Sequence, residues 1–219
     1  MRAAIFDLDG TLADSAPDIA AALNRALVEA GYAAFDLAGA TAMVGAGAKT
    51  LVARALAARG AAADAAQVDA LHARFIAHYD AHPCVHTRLY PGGREALEAL
   101  AAEGWRLGVC TNKPEALAVR VISALGISGL LGAVVGGREG VPLKPAADMV
   151  HLAMRELGVG SGRAVFVGDS AADLGAGRAA GLPVVLMAHG YSDTPVAALG
   201  AEATVAGFDG LVGAVRGLV

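Results

Sequence analysis

The sequence predicts an α/β fold: a doubly wound parallel sheet with a helical subdomain inserted early in the chain. Three observations predict it. Short apolar runs of strand length recur along the 219 residues. Segments with helical patterning alternate with them, as βαβ units require. One long stretch, residues 15–83, breaks the alternation and holds no convincing strand.

The strands are read at residues 3–8, 106–110, 133–135, 164–167 and 183–187. Each is a nearly continuous apolar run, the pattern of a strand covered on both faces. The helices between them are read at residues 91–103, 114–125, 145–157 and 171–180. Residues 15–83 are alanine-rich, with helical patterning broken at Gly31, Gly39, Gly45, Gly47 and Gly60. The chain re-enters the alternating pattern at Tyr90-Pro91-Gly92-Gly93, a turn and helix-start signal. The expected division is a Rossmann-like core of residues 1–14 and 84–219 and a helical cap of residues 15–83. An insertion after the first strand overhangs the carboxyl edge of the sheet, where a lid belongs.

Polar residues follow the strands. Asp7-Leu8-Asp9-Gly10-Thr11 follows the first and Thr111-Asn112-Lys113-Pro114 the second. Pro142-Leu143-Lys144-Pro145 lies beyond the third, and Gly168-Asp169-Ser170, with Asp173 beyond, follows the fourth. In doubly wound sheets ligands sit outside the carboxyl ends of the strands, so these clusters converge on one crevice. Two aspartates one residue apart at the end of a buried strand are costly unless positive charge lies between them. Carboxylates, a hydroxyl and an ammonium together suit a divalent cation beside a phosphate. Hard oxygen ligands suit Mg²⁺, and Lys144 and backbone N–H groups suit phosphoryl oxygens.

Composition narrows the partners. The formal net charge is −4 and aromatic residues make up 5%, with no basic stripe, so nucleic acid is not an expected partner. No apolar run approaches the ~18–20 residues of a membrane helix, and Asp7 and Asp9 interrupt the short apolar start. Two cysteines, Cys84 and Cys110, imply no disulfide framework. The expectation is a cytoplasmic protein with no nucleic-acid or membrane partner.

With these motifs in order, "DLDGT", "CTNK", "LKP" and "GDSAAD", the chain resembles the haloacid dehalogenase-like (HAD) phosphohydrolases and, within them, the phosphoglycolate phosphatases. The likeness extends to "DLDGTLADSAPDIAAALN", "MVGAGAKTLV", "LYPGGREALEAL" and "LGVCTNKPEAL", nearly the whole chain. It implies that Asp7 is the nucleophile and that Asp9 is general acid, then general base. Asp7, the Asp9 carbonyl and Asp169 hold Mg²⁺ by the same resemblance, with Asp173 supporting the metal. Thr111 and Asn112 bind phosphoryl oxygens, with Gly10 and Thr11 beside them, and Lys144 balances charge between phosphate and Asp7. Relatives that remove halide or cleave phosphonates lack the second aspartate, so Asp9 points to an alkoxide leaving group.

The resemblance implies hydrolysis of a small phosphorylated metabolite, 2-phosphoglycolate, through an aspartyl-phosphate. Sugar-phosphate phosphatases, pyrophosphatases and hexose-phosphate mutases share nearly the same core motifs and stay open as alternatives, as does a non-catalytic metal-binding scaffold. Lys49, in the cap loop "VGAGAKT", is expected to pair with a substrate carboxylate. After Lys144 the chain reads Pro145-Ala146-Ala147-Asp148, with alanine where the family often has a second proline.

Other signals are set aside. "GAGAKT" lacks the spacing of a phosphate-binding P-loop, because Ala48 separates Gly47 from Lys49. "GVGSG" leads from helix to strand, the reverse of a dinucleotide fingerprint. His78, His82 and His86 are spaced like zinc ligands, but Pro83 interrupts the helix, and surface histidines are expected. Cys110 and Trp105 are read as core residues.

Overall fold

The computed structural model describes residues 1–62 and 64–219. The chain opens with β1 (Ala3–Phe6) and a short β2 (Ala13–Asp14). It then runs through α1 (Ala16–Glu29), α2 (Leu37–Thr41), α3 (Ala48–Ala58) and α4 (Ala65–Ala81) and returns along β3 (Arg88–Leu89). The alternation follows as α5 (Gly93–Ala102), β4 (Arg106–Pro114), α6 (Glu115–Ala124), β5 (Ala133–Gly137), α7 (Asp148–Leu157), β6 (Ala164–Gly168), α8 (Ala171–Ala179), β7 (Val184–Met187), β8 (Ala203–Val205) and α9 (Phe208–Leu218).

Six strands form one sheet in the order β5-β4-β1-β6-β7-β8, and every neighbouring pair is parallel. β1 is central and wholly buried. Its residues alternate between the faces, as the strand period demands. Ala4 and Phe6 join the apolar core that includes α5, α6 and α9, while Ala3 and Ile5 join the core under α7 and α8. The order reverses beside β1, so the crevice at its carboxyl end is the topological switch point.

Two strand bounds differ from the sequence reading in a way that matters. β1 ends at Phe6 instead of residue 8, so Asp7 keeps one last ladder bond and Asp9 lies in the tight turn beyond it. β4 runs on to Pro114, so Thr111, Asn112 and Lys113 lie on the strand itself. The edge strand β8 is three residues long and only partly buried, too short to stand out as an apolar run.

A third apolar cluster, built from α1 to α4 with Leu117 of α6, lies over the carboxyl edge. The chain leaves the sheet and returns to it side by side, with Asp14 pairing antiparallel to Arg88. Asp18 fastens this junction. Its carboxylate accepts the backbone N–H of Val85, His86 and Thr87 and the Thr87 hydroxyl at 2.7–3.0 Å. Trp105 and Cys110 are buried. His78 pairs with Glu29 at 2.8 Å, and His82 caps the end of α4. Among the described residues, no helix is long and apolar enough to cross a membrane.

Candidate active site

The turn after β1 sets the site's geometry. The Asp7 N–H donates to the Val167 carbonyl of β6 at 2.8 Å, extending the ladder by one bond. Gly10 then adopts φ +85°, a region closed to most side chains, and a Cβ there would stand 2.6 Å from Asp169 Oδ2. Glycine is required on both counts. Asp7, Asp169 and Asp173 are all buried, with ligand atoms within 4.8 Å of one another.

Lys144 lies among these carboxylates. Its Nζ is 2.9 Å from Asp7 Oδ1 and donates to Asp173 Oδ1 at 2.7 Å and to the Cys110 carbonyl at 3.0 Å. Burial works against its charge, but Asp173 and Asp7 more than offset this and hold the ammonium above the usual lysine range. Asp173 has two duties. Its Oδ2 accepts from the Ser170 hydroxyl at 2.6 Å and from the Ser170 and Asp169 N–H groups at 3.1 Å, a capping box at the start of α8. Both oxygens thus have protein donors, and the residue positions Lys144.

Asp169 is held from two sides. Oδ1 accepts from the Thr11 hydroxyl at 2.8 Å and Oδ2 from the Tyr191 N–H at 2.8 Å. Thr11 therefore serves the carboxylate side of the site. Asn112 braces the loops: its Oδ1 accepts the Lys144 N–H at 2.9 Å, and its Nδ2 donates to the carbonyls of Lys144 at 3.2 Å and Gly45 at 3.1 Å. Thr111 is buried and lines the crevice with Asp7 and Asp9. Asp9 accepts from the Ser15 hydroxyl at 2.5 Å and from Lys113 Nζ at 2.7 and 2.9 Å.

The electrostatics call for added positive charge. Burial pushes the Asp7 carboxyl up to about 6, with Lys144 pulling down and Asp173 and Asp9 pushing up. Burial, Asp173 and Asp7 push Asp169 up to about 8. Asp7 Oδ1 is buried and makes no hydrogen bond among the described residues, despite its nearness to Lys144. Hard oxygen donors, crowded and short of positive charge, fit a small divalent cation such as Mg²⁺.

Lys49 stands apart from this gathering. It lies on the outer face of α3, 61% exposed, and pairs with Asp69 of α4 at 2.5 Å. Three residues not assigned from sequence enter instead. Lys113 grips Asp9, and its place in the Thr-Asn-Lys cluster was a signal. Tyr191 ties the site to the start of α1, its hydroxyl accepting the Ser15 and Ala16 N–H groups at 2.7 and 3.0 Å and donating to Asp14 at 2.7 Å. Its signal was weak: a polar run, Gly190-Tyr191-Ser192-Asp193, beyond β7. Tyr79 of α4 lines the crevice from above, with nothing local to mark it.

Comparison with known proteins agrees with this arrangement. The model of the haloacid dehalogenase-like hydrolase family matches residues 1–181. A phosphoglycolate phosphatase of Rhodospirillum rubrum is 46% identical over 214 residues, covering 96% of this chain and 89% of the relative. The crystal structure of a predicted phosphoglycolate phosphatase from Haemophilus somnus superposes with a TM-score of 0.88 at 29% identity, covering 97% of both chains. CbbY from Rhodobacter sphaeroides, solved in complex with phosphate, superposes with a TM-score of 0.78 at 25% identity, covering 99% of this chain and 100% of that one.

Proposed function

The chain belongs to the haloacid dehalogenase-like hydrolases, and from that premise we propose that it is a Mg²⁺-dependent phosphatase that splits 2-phosphoglycolate into glycolate and phosphate. The observation that carries the reading is the crevice that holds Asp7, Asp9 and Asp169 beyond the carboxyl ends of β1 and β6, with Lys144, from the loop after β5, on Asp7.

In this reading an Asp7 carboxylate oxygen attacks phosphorus and forms an aspartyl-phosphate. Asp9 gives its proton to the departing alkoxide. It then takes a proton from the water that attacks the phosphorus of the intermediate, which frees Asp7 and inorganic phosphate. The Ser15 hydroxyl orients Asp9 for both steps. Asp7, Asp169 and the Asp9 carbonyl would hold Mg²⁺, which when bound supplies charge that lets an anionic phosphoryl group approach an anionic nucleophile. Lys144, steadied by Asp173, adds a second positive group at Asp7. Thr111 and the Asn112 backbone receive phosphoryl oxygens.

Residues 15–83 act as the cap on a core of residues 1–14 and 84–219. The separate apolar cluster of α1 to α4 and the Asp18 fastening at the junction support that division. Closing such a cap over the crevice excludes water from the first step.

The test is phosphate release from 2-phosphoglycolate, pyrophosphate and several sugar phosphates, with Mg²⁺ and with chelator. The expected result is Mg²⁺-dependent release with a strong preference for 2-phosphoglycolate. Preference for another ester overturns the substrate, and conversion of a sugar phosphate to its isomer without phosphate release replaces hydrolysis with a mutase reaction.

A further inference from the structure

Among the polar groups that face the crevice without a part in the steps above, two lie together beside Asp9. Lys113, on β4, is buried with its Nζ on Asp9. Tyr79, on α4, is 2% exposed, and its hydroxyl has no hydrogen-bond partner among the described residues. They meet across the seam between sheet and helices, with Lys113 Nζ 4.5 Å from the centre of the Tyr79 ring. Both line one cavity of about 40 Å³, whose remaining walls beside Asp9 include the apolar Ile19, Leu51 and Phe75.

A buried hydroxyl left unpaired costs ~1–3 kcal/mol, and such groups are rare in folded proteins. Burial holds the Tyr79 phenol up at about 12, so it is a neutral donor near neutral pH. Lys113 carries three donors and no acceptor, and Asp9 occupies one side of it. Two donors, one of them cationic, thus converge on a small cavity whose cap-side wall of Ile19, Leu51 and Phe75 is apolar and whose far wall carries Asp7, Thr111 and Asn112. Such a place takes the end of a short anionic group and rejects an apolar one, because an apolar occupant leaves both donors unsatisfied.

We infer that Lys113 and Tyr79 together bind the carboxylate of the substrate, one oxygen on the ammonium and one on the phenol, and so set the enzyme's preference for a phosphate ester carrying a neighbouring carboxylate. The inference rests on the proposed reaction and names the residues that choose its substrate. The chain lengths agree. In 2-phosphoglycolate a single methylene separates the ester oxygen from the carboxylate carbon. A carboxylate on Lys113 therefore keeps the ester oxygen close to Asp9, which shares that ammonium and protonates that oxygen. Tyr79 comes from the helical layer and Lys113 from the sheet, so the bound carboxylate also bridges the two. Lys49, engaged with Asp69 on the outer face, has no such position.

The experiment compares kcat/KM for 2-phosphoglycolate and for ethyl phosphate, in which a methyl group replaces the carboxylate, in the full-length Mg²⁺-loaded protein. It uses the wild type, Tyr79→Phe and Lys113→Met. The wild type should prefer 2-phosphoglycolate by about 10³-fold or more. Tyr79→Phe, which keeps the ring and its packing, should cut that preference about 10-fold, chiefly through KM. Lys113→Met should cut it about 100-fold or more. Glycolate, as a product inhibitor, should weaken in step in both variants. Wild-type preference retained in both variants overturns the inference and leaves the proposed reaction standing. A wild type that shows no preference, or that hydrolyses neither ester, overturns the proposed substrate and the inference with it.

Discussion

The carboxyl edge of the sheet and the helical layer above it treat charge in opposite ways. At the sheet edge charges are buried and interlocked: Lys144 touches Asp7 and Asp173, and Asp169 is held by Thr11 and Tyr191. In the helical layer charges stay outside, as in the exposed pairs Lys49–Asp69 and Arg120–Asp80, the latter joining α4 to α6. The inner wall it presents beside Lys113 is apolar apart from Tyr79, and Arg54 of α3 lines the crevice on the side of Asp169. The contrast reflects a division of labour. Chemistry needs charges fixed to within tenths of an ångström, which only a rigid sheet edge provides. Choice of substrate needs shape and one or two well-placed donors, which a helical layer set over that edge can supply.

Asp7→Asn should have the largest effect, and it strikes the sheet edge alone. Loss of the proposed nucleophile should lower turnover of 2-phosphoglycolate by at least about 10⁴-fold. The melting temperature of the metal-free variant should stay level or rise, because one of three crowded carboxylates has lost its charge. Calorimetry beside the assay checks both. A variant that keeps turnover ends the proposed mechanism.

Lys144→Met comes next. It leaves Asp7 and Asp173 buried without their cation, a loss of about 3–5 kcal/mol in urea unfolding. If the sheet-edge charges act as one unit, Lys144→Met combined with Asp173→Asn should recover part of that loss. Simple addition of the two single effects would mean that they act independently.

Acid–base linkage gives a smaller effect. The Asp7 and Asp169 carboxyls sit above their ordinary 3.8, at about 6 and about 8. Between those limits the folded metal-free protein binds more protons than the unfolded chain, so its stability falls as pH rises through that window. At the proposed metal site protons would compete with Mg²⁺ for the same oxygens. The Mg²⁺-induced rise in melting temperature should therefore grow from about pH 5 to about pH 8. Asp18 behaves in the opposite sense: burial alone raises its carboxyl, but the Thr87, His86 and Val85 donors lower it overall. The stability it contributes is present above the unfolded carboxyl range and is lost as pH falls through its lowered value. A Mg²⁺ shift that is flat with pH would show that the acidic cluster is not where the metal binds.

The same division explains what could be read from sequence. Strands and the polar residues that follow them are neighbours in the chain, so Asp7, Asp9, Thr111, Lys144 and Asp169 were visible as a set once the alternation was seen. Asp173 was visible beyond the same strand as Asp169, but its capping box with Ser170 was not read from the sequence. Contacts made between layers were not. Tyr79 meets Lys113 only because α4 folds back over β4, and Tyr191 reaches Ser15 across 176 residues. Thr11 reads as a phosphate contact beside Asp9, yet the tight turn aims its hydroxyl at Asp169. β8 fell below the length at which an apolar run can be told from a loop.

Lys49 offers the smallest effect and the finest test of the contrast between the two layers. By motif it belongs with the substrate; by position it belongs with the outer face, where Asp69 holds it. That partnership depends on α3 and α4 packing side by side, which no local pattern announces. An exposed pair of this kind is worth at most about 1 kcal/mol, so Lys49→Ala should barely move the melting temperature. It should also leave the preference for 2-phosphoglycolate over ethyl phosphate within about threefold, less than about 1 kcal/mol of discrimination. A larger fall would mean that the helical layer turns Lys49 inward when substrate binds. The carboxylate would then be read from α3, and the outer face of the layer would be as much a part of the site as the sheet edge.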